Sequence, residues 1–231
     1  MEKILLVEDD PLVADIISDY IHRDARYEVC WTDSPARALE IAHQGFSLIL
    51  LDIMLPGMDG LELCHRFRRT LYCPILFISS LDDEQTIVRA LQLGGDDYLV
   101  KPFNAAVLLA KIDAHLRRMH NDFPALEPDA RTGELWLCSQ DHTVHTPTGQ
   151  AYLSPTEYRL LQFLFHNPRR VLELEEIYRA IWDRPSCGDV RTVPVHVHNL
   201  RKKIEPEPNA PRYIKTVKRI GYCFDDAPDE P

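Results

Sequence analysis

The chain has 231 residues, is 45% hydrophobic and carries a formal net charge of −10, which suits one or two folded domains. No apolar run approaches the roughly 20 residues that span a bilayer, so we expect no transmembrane helix. The acidic start MEKILLVEDD is unlike a signal peptide, so we expect no signal peptide either. The six cysteines form no CxxC pair, which argues against a zinc site or a disulfide framework and indicates free thiols in a reducing cytoplasm.

Residues 1–120 alternate short apolar runs with amphipathic segments of helical length. The apolar runs lie at 3–8, 28–31, 47–52, 73–79 and 97–101, and the amphipathic segments at about 11–22, 35–44, 60–70, 83–93 and 104–120. Five strands alternating with five helices predict an α/β doubly wound domain whose five-stranded parallel sheet is covered on both faces. Ser34 followed by Pro35 is typical of a helix start, and Gly45 and Gly94 stand where helices should end.

The alternation stops after residue 120, and we predict a linker over 121–126. A second domain follows over 127–225, with short strands up to residue 153, helices over about 155–166, 173–182 and 191–205, and two strands within 212–224. The first of these helices opens with Ser154-Pro155-Thr156-Glu157, which is a capping box. Three helices followed by a hairpin predict a winged helix-turn-helix domain. The acidic tail, 226–231, is predicted to be disordered.

Charged and polar residues end four of the five predicted parallel strands. Glu8 and Asp9 end the first strand, Asp52 the third, Ser79 the fourth and Lys101 the fifth. The carboxyl ends of such strands converge on one edge of the sheet, where open α/β sheets bind ligands. A single Asp after a strand often only caps a turn, but the joint placement favours chemistry.

Carboxylates crowded at one edge repel each other unless a cation neutralises them. Oxygen ligands without His or Cys indicate Mg²⁺. A nucleophilic carboxylate, a metal ion, a hydroxyl group and a lysine together match phosphoryl transfer to aspartate. We therefore expect Asp52 to accept a phosphoryl group whose oxygens Ser79 and Lys101 bind.

The motifs ILLVEDD, LILLDIMLPGMDGLEL, ILFISS and GGDDYLVKPF resemble those of receiver domains in bacterial two-component response regulators. The resemblance implies that a sensor histidine kinase phosphorylates Asp52 and that the receiver promotes its own Mg²⁺-dependent phosphorylation and dephosphorylation without otherwise being an enzyme. It further implies a Mg²⁺ site made of Glu8, Asp9, Asp52 and the backbone carbonyl of Met54, a switch hydroxyl on Ser79, an inward-turning aromatic switch on Tyr98, and a cis bond between Lys101 and Pro102.

Two positions beside the expected phosphoryl group are apolar in this sequence. Met54 and Leu81 stand where polar side chains can orient a water molecule. Since hydrolysis of the phosphoaspartate needs an aligned water, we expect slow autodephosphorylation.

The second half resembles the winged-helix effector domain of the OmpR/PhoB family, through LSPTEYRLLQFL, RTVPVHVHNLRKKI and YIKTVKRIGYCF. The resemblance implies that the third helix enters the major groove of double-stranded DNA with tandem half-sites and that the hairpin wing touches the backbone or the minor groove. It also implies that the loop 182–190 contacts RNA polymerase. Although the chain is acidic, residues 191–222 have a net charge of +6, which is consistent with a basic surface that binds DNA.

Candidate DNA contacts follow from residue chemistry. The candidates for phosphate contacts are Thr192, Arg201, Lys202, Lys203, Lys218 and Arg219. His198, Asn199 and Arg201 are the candidates for base contacts, and Asn199 favours a site that contains adenine. With Thr192 as N-cap, Pro194 would be the second residue of the third helix, where proline is tolerated.

The resemblance implies a homodimer on phosphorylation, formed by the fourth helix, the fifth strand and the fifth helix. By position the charged pairs of that interface are Asp97 with Lys111 and Asp96 with Arg118, while Ile87 and Val107 replace a third pair. Exposed charge pairs contribute about 0–1 kcal/mol each, and apolar burial can give more, so we expect a dimer with low salt sensitivity. Alternatively, Ile87 and Val107 pack within one protomer.

The leading interpretation is a phosphorylation-activated, sequence-specific DNA-binding transcription regulator. An aspartyl-phosphate phosphatase of the haloacid dehalogenase class would need a second Asp two residues after the nucleophile, where this chain has Met54. A receiver that signals only through protein partners, or a DNA-binding regulator that works without phosphorylation, would also fit the domain order. The basic third helix and the intact pocket disfavour both.

Overall fold

The structure is a computed structural model that describes residues 1–120, 129–182 and 190–225. The chain divides into two compact units, Met1–His120 and Asn121–Pro231. The predicted linker 121–126, most of the loop 182–190 and the tail 226–231 lie outside the described residues. Among the helices of the described ranges, none combines the length and the apolar character needed to cross a membrane.

The first unit alternates strands and helices as predicted. Its elements are β1 (Glu2–Val7), α1 (Pro11–His22), β2 (Tyr27–Thr32), α2 (Pro35–Ile41), β3 (Leu48–Leu51), α3 (Gly60–Phe67), β4 (Ile75–Ser79), α4 (Glu84–Gln92), β5 (Asp97–Val100) and α5 (Ala105–His120). The strands form one sheet in the order β2-β1-β3-β4-β5, and every neighbouring pair is parallel. The predicted doubly wound parallel sheet is therefore confirmed.

Burial on both faces explains why the central strands are continuous apolar runs. Along β3, Ile49 and Leu51 face one hydrophobic cluster while Leu48 and Leu50 face another, and all four are fully buried. Successive side chains of a strand point to opposite faces, so a strand with helices on both sides must be apolar at every position. In such central strands polar residues can then stand only where the strand ends.

Short polar side chains begin the helices that follow these strand ends. Asp10 caps α1, and its carboxylate accepts hydrogen bonds from the backbone N–H groups of Leu12 and Val13. Ser34 caps α2, and Pro35 is its first residue, as predicted. Because Asp10 is used as a cap, Glu8 and Asp9 are the acidic residues left at the end of β1.

A buried ion pair joins the ends of α3 and α4 to the sheet. Arg68 forms a salt bridge with Asp96, and its Nε and Nη1 donate to the carbonyl oxygens of Gly94 (2.7 Å) and Cys73 (2.6 Å). Asp96 also accepts from the backbone N–H of Ile75 at 2.9 Å, and it is completely buried. These contacts count against the predicted pairing of Asp96 with Arg118 of a second protomer; the Arg118 side chain lies outside the described residues.

In the part of the second unit that the structure describes, three helices pack beside two antiparallel sheets. Its elements are β6 (Asp129–Thr132), β7 (Leu135–Cys138), β8 (Thr143–Thr146), β9 (Gly149–Tyr152), α6 (Pro155–Phe165), β10 (Val171–Glu173), α7 (Leu174–Trp182), α8 (Thr192–Ile204), β11 (Ile214–Val217) and β12 (Gly221–Phe224). Strands β6 to β9 form one sheet in chain order, and β10, β12 and β11 form the other. The predicted winged-helix architecture is confirmed, with β10 as a strand outside the predicted strand ranges.

The capping signals of this unit have different outcomes. The capping box of Ser154 and Glu157 forms in both directions, as predicted. The N-cap of α8 is Arg191 rather than Thr192, and Thr192 is the first helical residue. Pro194 is therefore the third residue of α8, still within the first turn, where the N–H that proline lacks has no partner in the helix.

We expect Asp96→Ala to lower the free energy of unfolding of the first unit by about 3 kcal/mol, because it leaves the Arg68 guanidinium desolvated without its counter-charge. Urea unfolding followed by circular dichroism measures the change. Glu62→Ala is the matched control, since it removes the exposed partner of Arg66 on α3 and should cost less than about 0.5 kcal/mol. Equal losses for the two variants would contradict a stabilising role for the buried pair.

Candidate functional site

Three carboxylates meet at the carboxyl end of the sheet of the first unit. Glu8 and Asp9 follow β1 and Asp52 follows β3, its parallel neighbour, and one carboxylate oxygen of each residue lies within 4.8 Å of the others. Glu8 and Asp52 are buried, whereas Asp9 is exposed. The cluster has only oxygen donors, and its charge and spacing fit a hard divalent cation such as Mg²⁺.

Lys101 joins the two buried carboxylates. It follows β5, and its Nζ lies 2.9 and 2.7 Å from the two carboxylate oxygens of Glu8 and 2.6 Å from Oδ2 of Asp52. The other Asp52 oxygen, Oδ1, accepts a hydrogen bond from the backbone N–H of Met54 at 3.1 Å. Both oxygens of Asp52 are thus oriented, while the Met54 side chain is 58% exposed at the mouth of the pocket. The Lys101–Pro102 bond is cis, as the resemblance implied.

The electrostatics of the pocket favour a cation. Burial raises the pKa of Glu8 to about 7; the hydrogen bond from Lys101 opposes this shift and the charge of Asp52 adds to it. Burial lowers the pKa of Lys101, but its hydrogen bonds with Asp52 and Glu8 outweigh burial and leave that pKa above its usual value. One ammonium group therefore does not fully compensate the two buried carboxylates.

Ser79 ends β4 beside this pocket, and Tyr98 is the second residue of the neighbouring strand β5. Ser79 is fully buried, and its Oγ accepts a long hydrogen bond, 3.5 Å, from the backbone N–H of Leu81. The Tyr98 ring is turned inward and stacks on Phe77 with 6.2 Å between ring centroids, while its hydroxyl donates to the Leu81 carbonyl at 2.7 Å. Burial raises the pKa of Tyr98 to about 12, so its hydroxyl remains a hydrogen-bond donor.

Sequence reasoning missed two residues that shape the pocket. A Cβ on Gly60 would lie 2.0 Å from the carbonyl oxygen of Asp52, so only glycine lets α3 begin this close to the loop. Trp31, on the edge strand β2, donates its indole N–H to the carbonyl oxygen of Glu8 at 2.9 Å. The glycine is visible in the sequence, but nothing in the sequence links Trp31 to Glu8.

In the second unit, α8 exposes a narrow ridge. Pro194, His198 and Lys202 are exposed at successive turns of the helix. Thr192 and Asn199 are buried, which counts against their predicted contacts with DNA, because both face the unit's own interior. Burial, and secondarily the charges of Lys202 and Arg201, lower the pKa of His198, which favours the neutral form of its imidazole.

The other cations predicted to contact DNA divide into two groups. Lys218 and Arg219 are exposed in the turn between β11 and β12, and Arg219 has a left-handed backbone with φ of +63°. Lys203 instead contacts its own unit, with Nζ 2.5 Å from the carboxylate of Glu157 and 2.8 Å from the carbonyl oxygen of Tyr152. Arg201 donates to the carbonyl oxygen of Ile214, so neither residue extends freely towards a ligand.

The predicted dimer face is only partly available. Lys111 pairs with Asp97 of its own chain at 2.5 Å, and Asp97 is buried. Burial raises the pKa of Asp97, but the charge of Lys111 and the contact with His115 outweigh it and hold that pKa below its usual range. Ile87 is partly buried against the core, as expected if it packs within one protomer, whereas Val107 is 41% exposed.

Comparisons with known proteins agree with both units. The family model of the response regulator receiver domain matches residues 4–113, and that of the C-terminal domain of transcriptional regulatory proteins matches residues 149–224. Sensory transduction protein RegX3 of Mycobacterium tuberculosis is 34% identical over 96% of this chain and 98% of its own. Transcriptional regulatory protein AfsQ1 of Streptomyces coelicolor is 36% identical over 97% of this chain and 99% of its own.

Two solved structures are similar over nearly the whole chain. A mutant of RitR has a TM-score of 0.79 and 27% identity, with 98% of this chain and 100% of that chain covered. The response regulator DrrB, described as a Thermotoga maritima OmpR/PhoB homologue, has a TM-score of 0.50 and 29% identity, with 97% of this chain and 99% of that chain covered.

We expect the stability of the Mg²⁺-free first unit to fall as pH rises from about 4.5 to about 7. Over this range folded Glu8, with its raised pKa, holds a proton that the unfolded chain releases, so the favourable contribution is lost as pH passes the folded pKa of about 7. The loss is about 3 kcal/mol, because the pKa of Glu8 is raised from 4.5 to about 7 and each pKa unit corresponds to roughly 1.4 kcal/mol. Urea unfolding in EDTA at several pH values measures it.

Glu8→Gln is the control, and its stability should vary less over this pH range. Adding Mg²⁺ to the wild type should stabilise the unit most at the upper end of the range, where Glu8 is ionised. A pH dependence that is identical in the wild type and in Glu8→Gln would rule out Glu8 as its source.

Proposed function

This chain belongs to the OmpR/PhoB family of two-component response regulators, and on that premise we propose that phosphorylation of Asp52 by a sensor histidine kinase activates its DNA-binding unit. The protein is a transcription regulator with a receiver and a DNA-binding domain. We assign the receiver to 1–120, the linker to 121–126, the DNA-binding domain to 127–225 and an acidic tail to 226–231. The observation that carries the proposal is the oriented Asp52 carboxylate beside Glu8, Asp9 and Lys101.

In the phosphorylation step a carboxylate oxygen of Asp52 attacks the phosphorus of phosphohistidine, the P–N bond breaks, and the histidine leaves with a proton on its ring. Mg²⁺, held by Glu8, Asp9, Asp52 and the Met54 carbonyl, would neutralise charge on the phosphoryl oxygens. Lys101 already contacts Asp52 and needs only to turn its ammonium group towards the new phosphoryl oxygens. The buried Ser79 hydroxyl lies at the next strand end and supplies a hydrogen-bond donor.

We assign the readout to Tyr98, which is turned inward with its hydroxyl on the Leu81 carbonyl. Its position is coupled to Ser79, because Leu81 donates its backbone N–H to the Ser79 hydroxyl and accepts from Tyr98. Moving Ser79 towards a phosphoryl group would therefore change the hydrogen bonding of Leu81 and, through it, that of the Tyr98 hydroxyl. The structural response would therefore occur next to α4 and β5. We propose that the protein works in the cytoplasm.

We propose that the dimer forms through the surface of α4, β5 and α5, with apolar contacts taking the place of charged pairs between protomers. Val107 is exposed and Ile87 partly so, which supports an apolar centre. Asp97 and Lys111 neutralise each other within one chain, so their contribution between protomers is small. The proposed partner is a second copy of this chain.

The proposed DNA contacts are those that the second unit exposes. His198 and Lys202 on α8 are assigned to the major groove, with the neutral imidazole reading a base and Lys202 on a phosphate. Lys218 and Arg219 at the turn are assigned to the backbone or the minor groove. The target is double-stranded DNA with tandem half-sites, and the loop 182–190 is proposed to contact RNA polymerase.

We expect beryllofluoride with Mg²⁺, which stands in for the phosphoryl group on Asp52, to convert the wild-type protein from monomer to dimer. Asp52→Ala removes the carboxylate that binds beryllofluoride and should stay monomeric. Light scattering after size-exclusion chromatography measures the mass. Asp59→Ala, which removes only the cap of α3, is the control and should dimerise like the wild type. If wild type and Asp52→Ala behave alike, Asp52 does not control assembly.

We expect the phosphoryl group on Asp52 to last for minutes or longer, because neither exposed Met54 nor partly buried Leu81 can orient an attacking water. Met54→Asn adds a polar group at the pocket mouth and should shorten the lifetime about tenfold, equivalent to about 1.4 kcal/mol of barrier. Ile16→Asn, an equally polar change on the exposed face of α1, is the control. Loss of radiolabelled phosphate measures the lifetime, and a wild-type half-life of seconds would disprove the idea.

A further inference from the structure

Arg201 joins helix α8 to the wing, the hairpin formed by β11 and β12. Its Nε and Nη2 donate to the carbonyl oxygen of Ile214 at 3.0 and 2.5 Å, and Nη2 also donates to the Thr216 hydroxyl at 2.8 Å. The guanidinium carbon lies 5.5 Å from the centroid of the Tyr222 ring, on the second strand of the wing. One side chain thus contacts both strands of the hairpin.

Glu205 makes a second connection one helical turn further along. It follows the last residue of α8, and its carboxylate accepts from the backbone N–H groups of Arg212 (2.7 Å), Tyr213 (3.1 Å) and Ile214 (2.8 Å). Glu205 therefore sets where β11 begins, and Arg201 sets where its first residues lie against the helix. Burial, which outweighs the favourable interactions with Tyr222 and Glu205, lowers the pKa of Arg201, consistent with a cation withdrawn from water.

Neighbouring residues of α8 show that this inward placement is selective. Lys202 is exposed, whereas Arg201 is only partly exposed and directs its guanidinium to the wing. A guanidinium presents several donors in one plane, which suits one carbonyl and one hydroxyl at once, and a lysine ammonium on a flexible stem does not reproduce that fork. The contact thus requires arginine geometry as well as positive charge.

We propose that Arg201 is a positioning residue that holds the wing at a set distance and angle from α8, so that Lys218 can bind DNA while His198 and Lys202 occupy the major groove. This deepens the proposed DNA-binding function and rests on it. In this arrangement Arg201 acts on DNA through the wing and makes no phosphate contact of its own. This positioning role replaces the direct phosphate or base contact of Arg201 that residue chemistry alone predicted.

The test is a double-mutant cycle on the full-length protein. The probe is a DNA duplex selected by the wild-type protein from a random-sequence library, and fluorescence anisotropy gives Kd. Lys218→Ala is combined with Arg201→Met, Arg201→Lys or Lys202→Ala. Amide hydrogen exchange of residues 214–217 is measured on the same proteins without DNA, after thermal unfolding has shown that each variant folds.

We expect Lys218→Ala to weaken binding about tenfold in the wild type, as for loss of one favourable contact. In Arg201→Met and Arg201→Lys it should weaken binding less than about twofold, because a displaced wing no longer brings Lys218 to the DNA. In the Lys202→Ala background Lys218→Ala should still weaken binding about tenfold, so that the losses from the two substitutions multiply. Exchange of residues 214–217 should accelerate about tenfold in both Arg201 variants and remain unchanged in Lys202→Ala.

Two results would overturn the positioning role. If Lys218→Ala costs as much in the Arg201 variants as in the wild type, or if Arg201→Lys restores wild-type affinity, Arg201 contributes charge directly. Unchanged exchange of residues 214–217 in Arg201→Met would overturn the clamp even without DNA. If the wild type selects no duplex, the proposed DNA binding fails, and the exchange experiment still decides whether Arg201 holds the wing.

Discussion

The bridge from Lys101 to Glu8 and Asp52 is the contact on which the rest of the receiver depends. Two buried carboxylates this close together require a nearby cation. Lys101, which follows the edge strand β5 in the sheet order β2-β1-β3-β4-β5, supplies it. The surrounding features hold this arrangement: Met54 orients one oxygen of Asp52, Trp31 contacts the backbone of Glu8, and Gly60 lets α3 begin beside Asp52. Because Glu8 and Asp52 exceed the charge of one lysine, the pocket remains suited to a divalent cation.

The same constraint acts in the second unit with a different result. A charged side chain near a protein interior must find partners, and three of the charged residues at the end of α8 find them within the unit: Arg201 at the wing, Lys203 at Glu157, and Glu205 at the start of β11. The net charge of +6 over residues 191–222 therefore overstates the positive charge that the unit presents to DNA. What remains exposed is a ridge on α8 and the turn of the wing, and the Arg201 side chain links α8 to the first strand of the wing.

Buried ion pairs also change how the face of α4, β5 and α5 is understood. Asp96 pairs with Arg68 and Asp97 with Lys111, each within one chain. Both carboxylates are therefore already paired before a second protomer binds. Among those dimer residues whose side chains the structure describes, the exposed Val107 is the one left most free to contact a partner. An assembly on this face would therefore rest on apolar contact more than on charge.

The sequence by itself determined the doubly wound parallel sheet, the winged-helix architecture, the start of α6 and the acidic pocket. Each follows from local patterns: apolar runs of strand length, capping residues, and polar residues at the strand ends that a parallel sheet gathers at one edge. It could not determine which way the side chains of α8 point. Arg201, Lys202 and Lys203 are adjacent in sequence and alike in charge, yet only Lys202 faces outward. Tertiary structure decided this, because it places Ile214, Glu157 and Tyr152, distant along the chain, within reach of the other two.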